Sequence, residues 1–103
     1  RTAMIQINGM IKLGRPLDAA TRKALVEMVR ASRAEDGCID YSFASDLADP
    51  DTLVLFERWR DQQALDAHGK SAHMEQFRQV MAANPPEKRD LRMYQTDDGQ
   101  PLG

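Results

Sequence analysis

The chain has almost no cysteine: Cys38 stands alone, so neither an internal disulfide nor a thiolate zinc cluster can form within it. No apolar run approaches the roughly 20 residues that a membrane helix requires, and no signal-peptide pattern opens the sequence. An excess of one charge is lacking too. A formal net charge of −2 supplies no electrostatic attraction to nucleic acid or to an anionic membrane. There is no zinc-ligand motif, no glycine-rich phosphate loop and no nucleophile triad pattern. These absences point to a reducing, cytoplasmic setting and away from nucleic acid or membrane as partner. Arg1-Thr2-Ala3 reads as an expression remnant ahead of a start at Met4.

What remains suffices for one core. With 103 residues the chain is read as a single domain spanning 1–103. From Met4 to Leu13, Ile5, Ile7, Gly9, Ile11 and Leu13 alternate with Met4, Gln6, Asn8, Met10 and Lys12, the two-residue period of a strand. Gly14-Arg15-Pro16 breaks it. Asp18 can cap a helix with an apolar stripe at Leu25, Met28 and Val29, extended more weakly by Thr21 and Ser32. Gly37 is expected to stop that helix region. Cys38 to Ala44 follows, with Ile39, Tyr41 and Phe43 on one face, and Asp46 to Asp51 reads as a turn or loop. Leu53-Val54-Leu55-Phe56 is apolar on both faces and suits a central strand, which ends at Glu57-Arg58-Trp59. Asp61 can cap a short helix through His68 that ends at Gly69. Ser71 can cap another, with Met74, Phe77, Val80 and Met81 inward, closed by Asn84-Pro85-Pro86. Leu91 to Thr96 is the last strand, and 97–103 a frayed tail.

Strand, helix, strand, strand, broken helix, strand is the order of an α+β, ferredoxin-like fold. It has a four-stranded antiparallel sheet, helices on one face, and the first and third strands at the centre. Helices then cover one face only, yet the third strand carries large apolar side chains on both. Leaving Val54 and Phe56 in water would forfeit roughly 1.5–3 kcal/mol each. A second copy packed sheet to sheet is the simplest cover, so a homodimer is expected.

The pattern Glu35-x-Gly37-Cys38-x-x-Tyr41, then Glu57-x-Trp59, then Ala64-Leu65-x-x-His68 and Ser71-x-His73 resembles the antibiotic biosynthesis monooxygenase family. The resemblance is specific from Glu35 to Phe77 and otherwise follows element order. It implies a dimeric α+β barrel with a pocket in each subunit between sheet and helices. Members of that kind include cofactor-independent monooxygenases acting on quinols and polycyclic phenols. Others bind or degrade haem, or isomerise small sugar-like phosphates, so the fold alone is a weak guide to the reaction.

The chemically useful residues lie in that window. Trp59 shares parity with Leu53, Leu55 and Glu57. It either lines the pocket as a stacking platform or is a core tryptophan with its N–H bonded. Glu57, in an apolar strand, needs a partner; it orients His68, bonds backbone at a helix start, or takes part in catalysis. His68 follows Leu65 by three positions. Its imidazole suits abstraction of a phenolic proton at neutral pH, or else caps a helix C-terminus. His73 lies five residues on, about 140° away on one continuous helix, and reaches the pocket only if the break at Gly69 turns it. Asn8 interrupts the first strand opposite the Ile5, Ile7, Ile11 face. Some haem-degrading relatives use an asparagine in that strand, whereas a polar residue facing a dimer partner is the plainer reading. Tyr41, Phe43 and Phe77 are pocket wall or core. Met28, Met74 and Met81 fit the core, and Cys38 reads as inert.

The resemblance thus implies a cofactor-free monooxygenase taking a small aromatic substrate and dioxygen. His68 would be base, Trp59 platform and Glu57 support, with Asn8, Tyr41, Phe43, His73 and Phe77 contacting substrate; no metal is called for. The alternatives are a haem-binding or haem-degrading protein, and a small-molecule-binding dimer without oxygenase activity. RNA binding is disfavoured, because Thr52 to Trp59 lacks a Gly-aromatic stacking signature.

Overall fold

A computed structural model describes residues 3–103 of the chain; Arg1 and Thr2, read above as part of an expression remnant, lie outside them. Alternating side chains build β1 (Met4–Lys12). Asp18 then starts α1 (Ala19–Arg33), its Oδ1 accepting the Thr21 N–H at 2.7 Å and so satisfying one otherwise orphaned donor. Thr21, Leu25, Met28 and Ser32 form the buried stripe, and the two polar members expected to be weak are as buried as the rest. The Ser32 hydroxyl donates to Met28 Sδ at 3.3 Å. Gly37 does not end this helix. α1 stops at Arg33, and Gly37 makes the following turn at φ 85°, where a Cβ would stand 2.6 Å from that of Ala64.

β2 (Cys38–Asp46) and β3 (Asp49–Trp59) are longer than expected and form a hairpin closed by the pair Asp46 and Asp49. The loop is only Leu47 and Ala48, with Asp46 Oδ1 accepting the Ala48 N–H. Asp49-Pro50-Asp51 is therefore strand rather than loop, and Pro50 is tolerated because neither neighbouring ladder pairs it. Near its start β2 bulges: Cys38 faces Trp59 and Asp40 faces Arg58. The extra residue puts Cys38, not Ile39, on the face of Tyr41 and Phe43, and leaves Ile39 exposed.

α2 (Gln62–Gly69) is capped by Asp61 and α3 (Ala72–Ala83) by Ser71. β4 (Lys88–Thr96) begins earlier than Leu91. Among the described residues the result is one four-stranded antiparallel sheet, in the order β2-β3-β1-β4, with three helices. This is an α+β ferredoxin-like fold. Its main core joins Ile5, Met28, Tyr41, Leu55, Trp59 and Ala64 on the helix side of the sheet. On the other face Val54 and Tyr94 remain 42% and 45% exposed.

Candidate active site

Between the helix side of the sheet and helices α2 and α3 lies a cavity of about 580 Å³. Its wall is largely apolar, with Ile7 and Ile11 from β1, Phe43 from β2, Leu55 from β3, Leu91 from β4, and Leu65, Met74 and Phe77 from the helices, while Asp66, Lys70, Arg89 and Arg92 also line it. Into this wall are set Tyr41, Glu57 and His68.

Each polar group is there for a local reason. Residues 53, 55, 57 and 59 share one side of β3, so the parity that buries Leu53 and Leu55 also buries Glu57 and Trp59. The Trp59 Nε1–H donates to Glu57 Oε1 at 2.7 Å. Tyr41 stands opposite Glu57 in the β2–β3 ladder, and its hydroxyl favours the charged form of that carboxylate. Burial nevertheless pushes the Glu57 carboxyl above its ordinary range, and the Trp59 N–H and the neighbouring Tyr41 hydroxyl only partly offset it. The Tyr41 phenol is driven up for the same reason, loss of water first and the Glu57 charge second.

His68 is 3% exposed and lies over Trp59, ring centroids 4.5 Å apart. Its Nδ1 is 2.6 Å from Glu35 Oε2. A carboxylate can only accept, so Nδ1 carries the proton and Nε2 keeps its lone pair. Nε2 is buried and has no hydrogen-bond partner. Burial pulls the imidazole below its ordinary value, against the opposing pull of Glu35. The same Glu35 oxygen lies 2.8 Å from His73 Nε2. One carboxylate oxygen thus joins two histidines that the chain separates by five residues.

Several expectations change here. The partner of His68 is Glu35 and not Glu57, which accepts from the Trp59 indole. Trp59 is fully buried and does not reach the cavity; its face is taken by His68. His73 turns to Glu35 and away from the cavity wall. Asn8 pairs in unbroken register with Phe56 and Arg92, so it sits on the sheet face away from the helices, its Oδ1 accepting from Gln6 Nε2. Tyr41, Phe43 and Phe77 do line the cavity, as do Glu57 and His68. Cys38 is half-buried and its thiol is pushed up to about 11, chiefly by burial and then by Glu35 and Glu57. Glu35 has a role that the linear sequence did not assign. Its signal was its place beside Gly37 and Cys38 in the quoted pattern, and only the tertiary contact says what it does.

The family model described as antibiotic biosynthesis monooxygenase matches residues 4–80. The chain belongs to the antibiotic biosynthesis monooxygenase family. "Putative monooxygenase Rv0793" of Mycobacterium tuberculosis is 45% identical over 60 residues, 58% of this chain and 58% of that one. The structure of Rv0793 superposes with a TM-score of 0.81 at 26% identity, covering 94% of this chain and 98% of that chain. An uncharacterized protein of Synechocystis, sll1783, is 30% identical over 74 residues, 72% of this chain and 50% of that one. In sequence, the chain spans about half the length of the curated relatives it matches. A crystal structure from Deinococcus radiodurans, described as a putative antibiotic biosynthesis monooxygenase, shares the fold at a TM-score of 0.82 and 21% identity, covering 97% and 98% of the two chains. No helix among the described residues of this family member is long and apolar enough to cross a membrane.

Proposed function

We propose that this chain is a cofactor-independent monooxygenase that oxidises a quinol or polycyclic phenol with dioxygen. The observation that carries the reading is the buried His68, its Nδ1 held by Glu35 and its Nε2 free of partners, in the wall of a largely apolar cavity. About 580 Å³ is within the usual range for a small-molecule pocket and suits two or three fused rings. His68 Nε2 takes the phenolic proton, and Glu35 stabilises the imidazolium that results. Stripped of water, the phenolate is a strong one-electron donor and passes an electron to dioxygen. The radical pair combines to a peroxide at the ring carbon, and loss of water completes the reaction. For an anthrone-type phenol the balance is R₂CH₂ + O₂ → R₂C=O + H₂O. The proton held on His68 returns to the departing oxygen, so the base is reset in each turnover. Glu57 sets the polarity of the cavity wall and supports the core through Trp59.

The homodimer belongs to the same proposal. Val54, Tyr94, Phe56 and Met10 share the sheet face without helices. A second sheet would dry that face and brace the far side of the β1 and β3 walls.

Oxygen uptake without added cofactor, over a panel of hydroquinones and anthrone-like phenols, tests the reaction. Removing a general base typically lowers the rate by about 10²–10⁴-fold, and His68→Ala is expected to fall in that range while keeping its far-ultraviolet dichroism. Undiminished uptake in a folded His68→Ala removes the histidine from the base role.

A further inference from the structure

Glu35, His68 and His73 come from three separate pieces of chain: the turn after α1, the last turn of α2 and the first turn of α3. They bring two imidazole nitrogens and one carboxylate oxygen within 4.8 Å of one another. Two N–H groups converge on Glu35 Oε2, at 2.6 and 2.8 Å. We propose that these three atoms form a site for a divalent transition-metal ion of the zinc, cobalt or nickel type. The site does not depend on the oxygenase reading.

The donor set argues for the class of ion. Two neutral imidazoles and one carboxylate suit zinc and its neighbours, whereas magnesium and calcium prefer oxygen donors alone. An ion about 2.0–2.2 Å from each donor needs donor separations of roughly 3 Å or more. The two contacts therefore open by about half an ångström or slightly more. His68 is fixed against Trp59 and Tyr41. Glu35 and His73 are the parts free to adjust, since one lies in a turn and both side chains reach solvent, at 17% and 21% exposure. The ion enters from that side without crossing the cavity, and water completes its coordination.

Filling the site moves one proton. With the metal on Nδ1, neutral His68 must carry its hydrogen on Nε2, so its acceptor becomes a donor. If His68 is the base of the oxygenase reaction, bound metal switches it off, and the two uses of the triad exclude each other. That consequence rests on the proposed function; the metal site itself does not.

Trp59 offers a direct readout, because it is the only tryptophan in the sequence and lies 4.5 Å from the His68 ring. The untagged chain is titrated with nickel(II) in chelator-treated buffer without substrate, and tryptophan fluorescence is followed. The expected result is saturable quenching at one ion per chain, relieved by zinc competition and reversed by EDTA. His73→Ala and Glu35→Gln should each shift the midpoint by about tenfold or more, in line with losing one ligand or its charge. His73 is partly exposed and outside the core, so its alanine variant keeps the fold and the comparison stays clean. Absence of saturable quenching up to about 1 mM nickel, or a midpoint moved less than tenfold in His73→Ala, overturns the site and leaves the triad as a hydrogen-bonded cluster. Neither result bears on oxygen uptake in metal-free buffer, so this proposal and the oxygenase reading fail separately.

Discussion

Trp59→Phe separates two roles for the one indole in this chain. As a substrate platform, Trp59 would contribute to activity and little to stability. The structure gives it the opposite character: fully buried, bonded to Glu57, and covered by His68 and Tyr41. Phenylalanine keeps an aromatic ring but deletes the N–H. A hydrogen bond to a buried charged acceptor is worth about 1.5–3 kcal/mol. The missing part of the indole, roughly 40 Å³, adds about 1 kcal/mol at the usual cavity coefficient. The variant should therefore lose about 2.5–4 kcal/mol, a large share of the roughly 5–15 kcal/mol that stabilises a domain. Its melting temperature should fall by about 10–30 °C.

Urea titration of wild type, Trp59→Phe, Glu57→Gln and the double variant measures this and isolates the pair. Glu57 has a folded pKa above its unfolded value of 4.5. The folded state therefore holds a proton over a window in which the unfolded chain has already released it. Stability falls as pH rises through that window, and the penalty is complete above the folded pKa. Glu57→Gln keeps an acceptor for Trp59 and removes the penalty, so it should be more stable than wild type at pH 7 and lose the advantage below about pH 4.5. In the glutamine background, Trp59→Phe should cost about 1 kcal/mol less, because a neutral acceptor replaces a charged one. A Trp59→Phe protein within about 0.5 kcal/mol of wild type that nonetheless loses activity would refute this reasoning and restore the platform role.

Two further perturbations test the frame around the cavity. Gly9 lies at φ 152° between β3 and β4, and a Cβ there would stand 2.0 Å from the Asp90 carbonyl oxygen and 2.9 Å from Leu91 Cα. Because both neighbours are backbone, Gly9→Ala must displace β4 and with it Leu91 of the cavity wall. A loss of at least about 2 kcal/mol in urea, with faster amide exchange in β4, is expected; an unchanged midpoint would show that the strand absorbs the clash. For the proposed homodimer, Val54→Asp places a charge at the middle of the helix-free face without touching the core. Sedimentation equilibrium should show dimer for wild type and monomer for the variant at about 10 µM; a monomeric wild type at about 100 µM removes the dimer.

The fold was legible because its determinants are short-range. Asp18, Asp61 and Ser71 each cap a helix through a bond three residues on. The parity of Ile5, Ile7 and Ile11, and of Leu53, Leu55, Glu57 and Trp59, fixes the inner face of the two central strands. What was not legible depends on a partner strand. Whether Ile39 or Cys38 faces inward is decided by a bulge opposite Trp59 and Arg58, and nothing within residues 38–44 signals that count. The hairpin is likewise two residues long because Asp49 bonds Lys12 Nζ and Thr52 Oγ1, contacts that tie the start of β3 into the sheet.

The site was half legible for a related reason. All five polar residues of the cluster lie between positions 35 and 73, and burial of Glu57 and His68 follows from strand and helix periodicity. Their pairing does not. Two carboxylates and two histidines allow several partnerships of similar chemistry, and backbone geometry selects among them. The Glu57–Tyr41 ladder pair and the indole N–H claim Glu57 from within the sheet. The choice for Glu35 is made by the break between α2 and α3. On a continuous helix, His68 and His73 would diverge by about 140°. Instead, Ser71 donates from Oγ to the His68 carbonyl and accepts the Met74 N–H, so it closes one helix and opens the next at the same point. The new axis brings His73 back over Glu35. A hydroxyl used twice thus converts two histidines that a helix would separate into one cluster, in which His68 Nδ1 and His73 Nε2 meet the same Glu35 oxygen and His68 Nε2 is left buried without a hydrogen-bond partner.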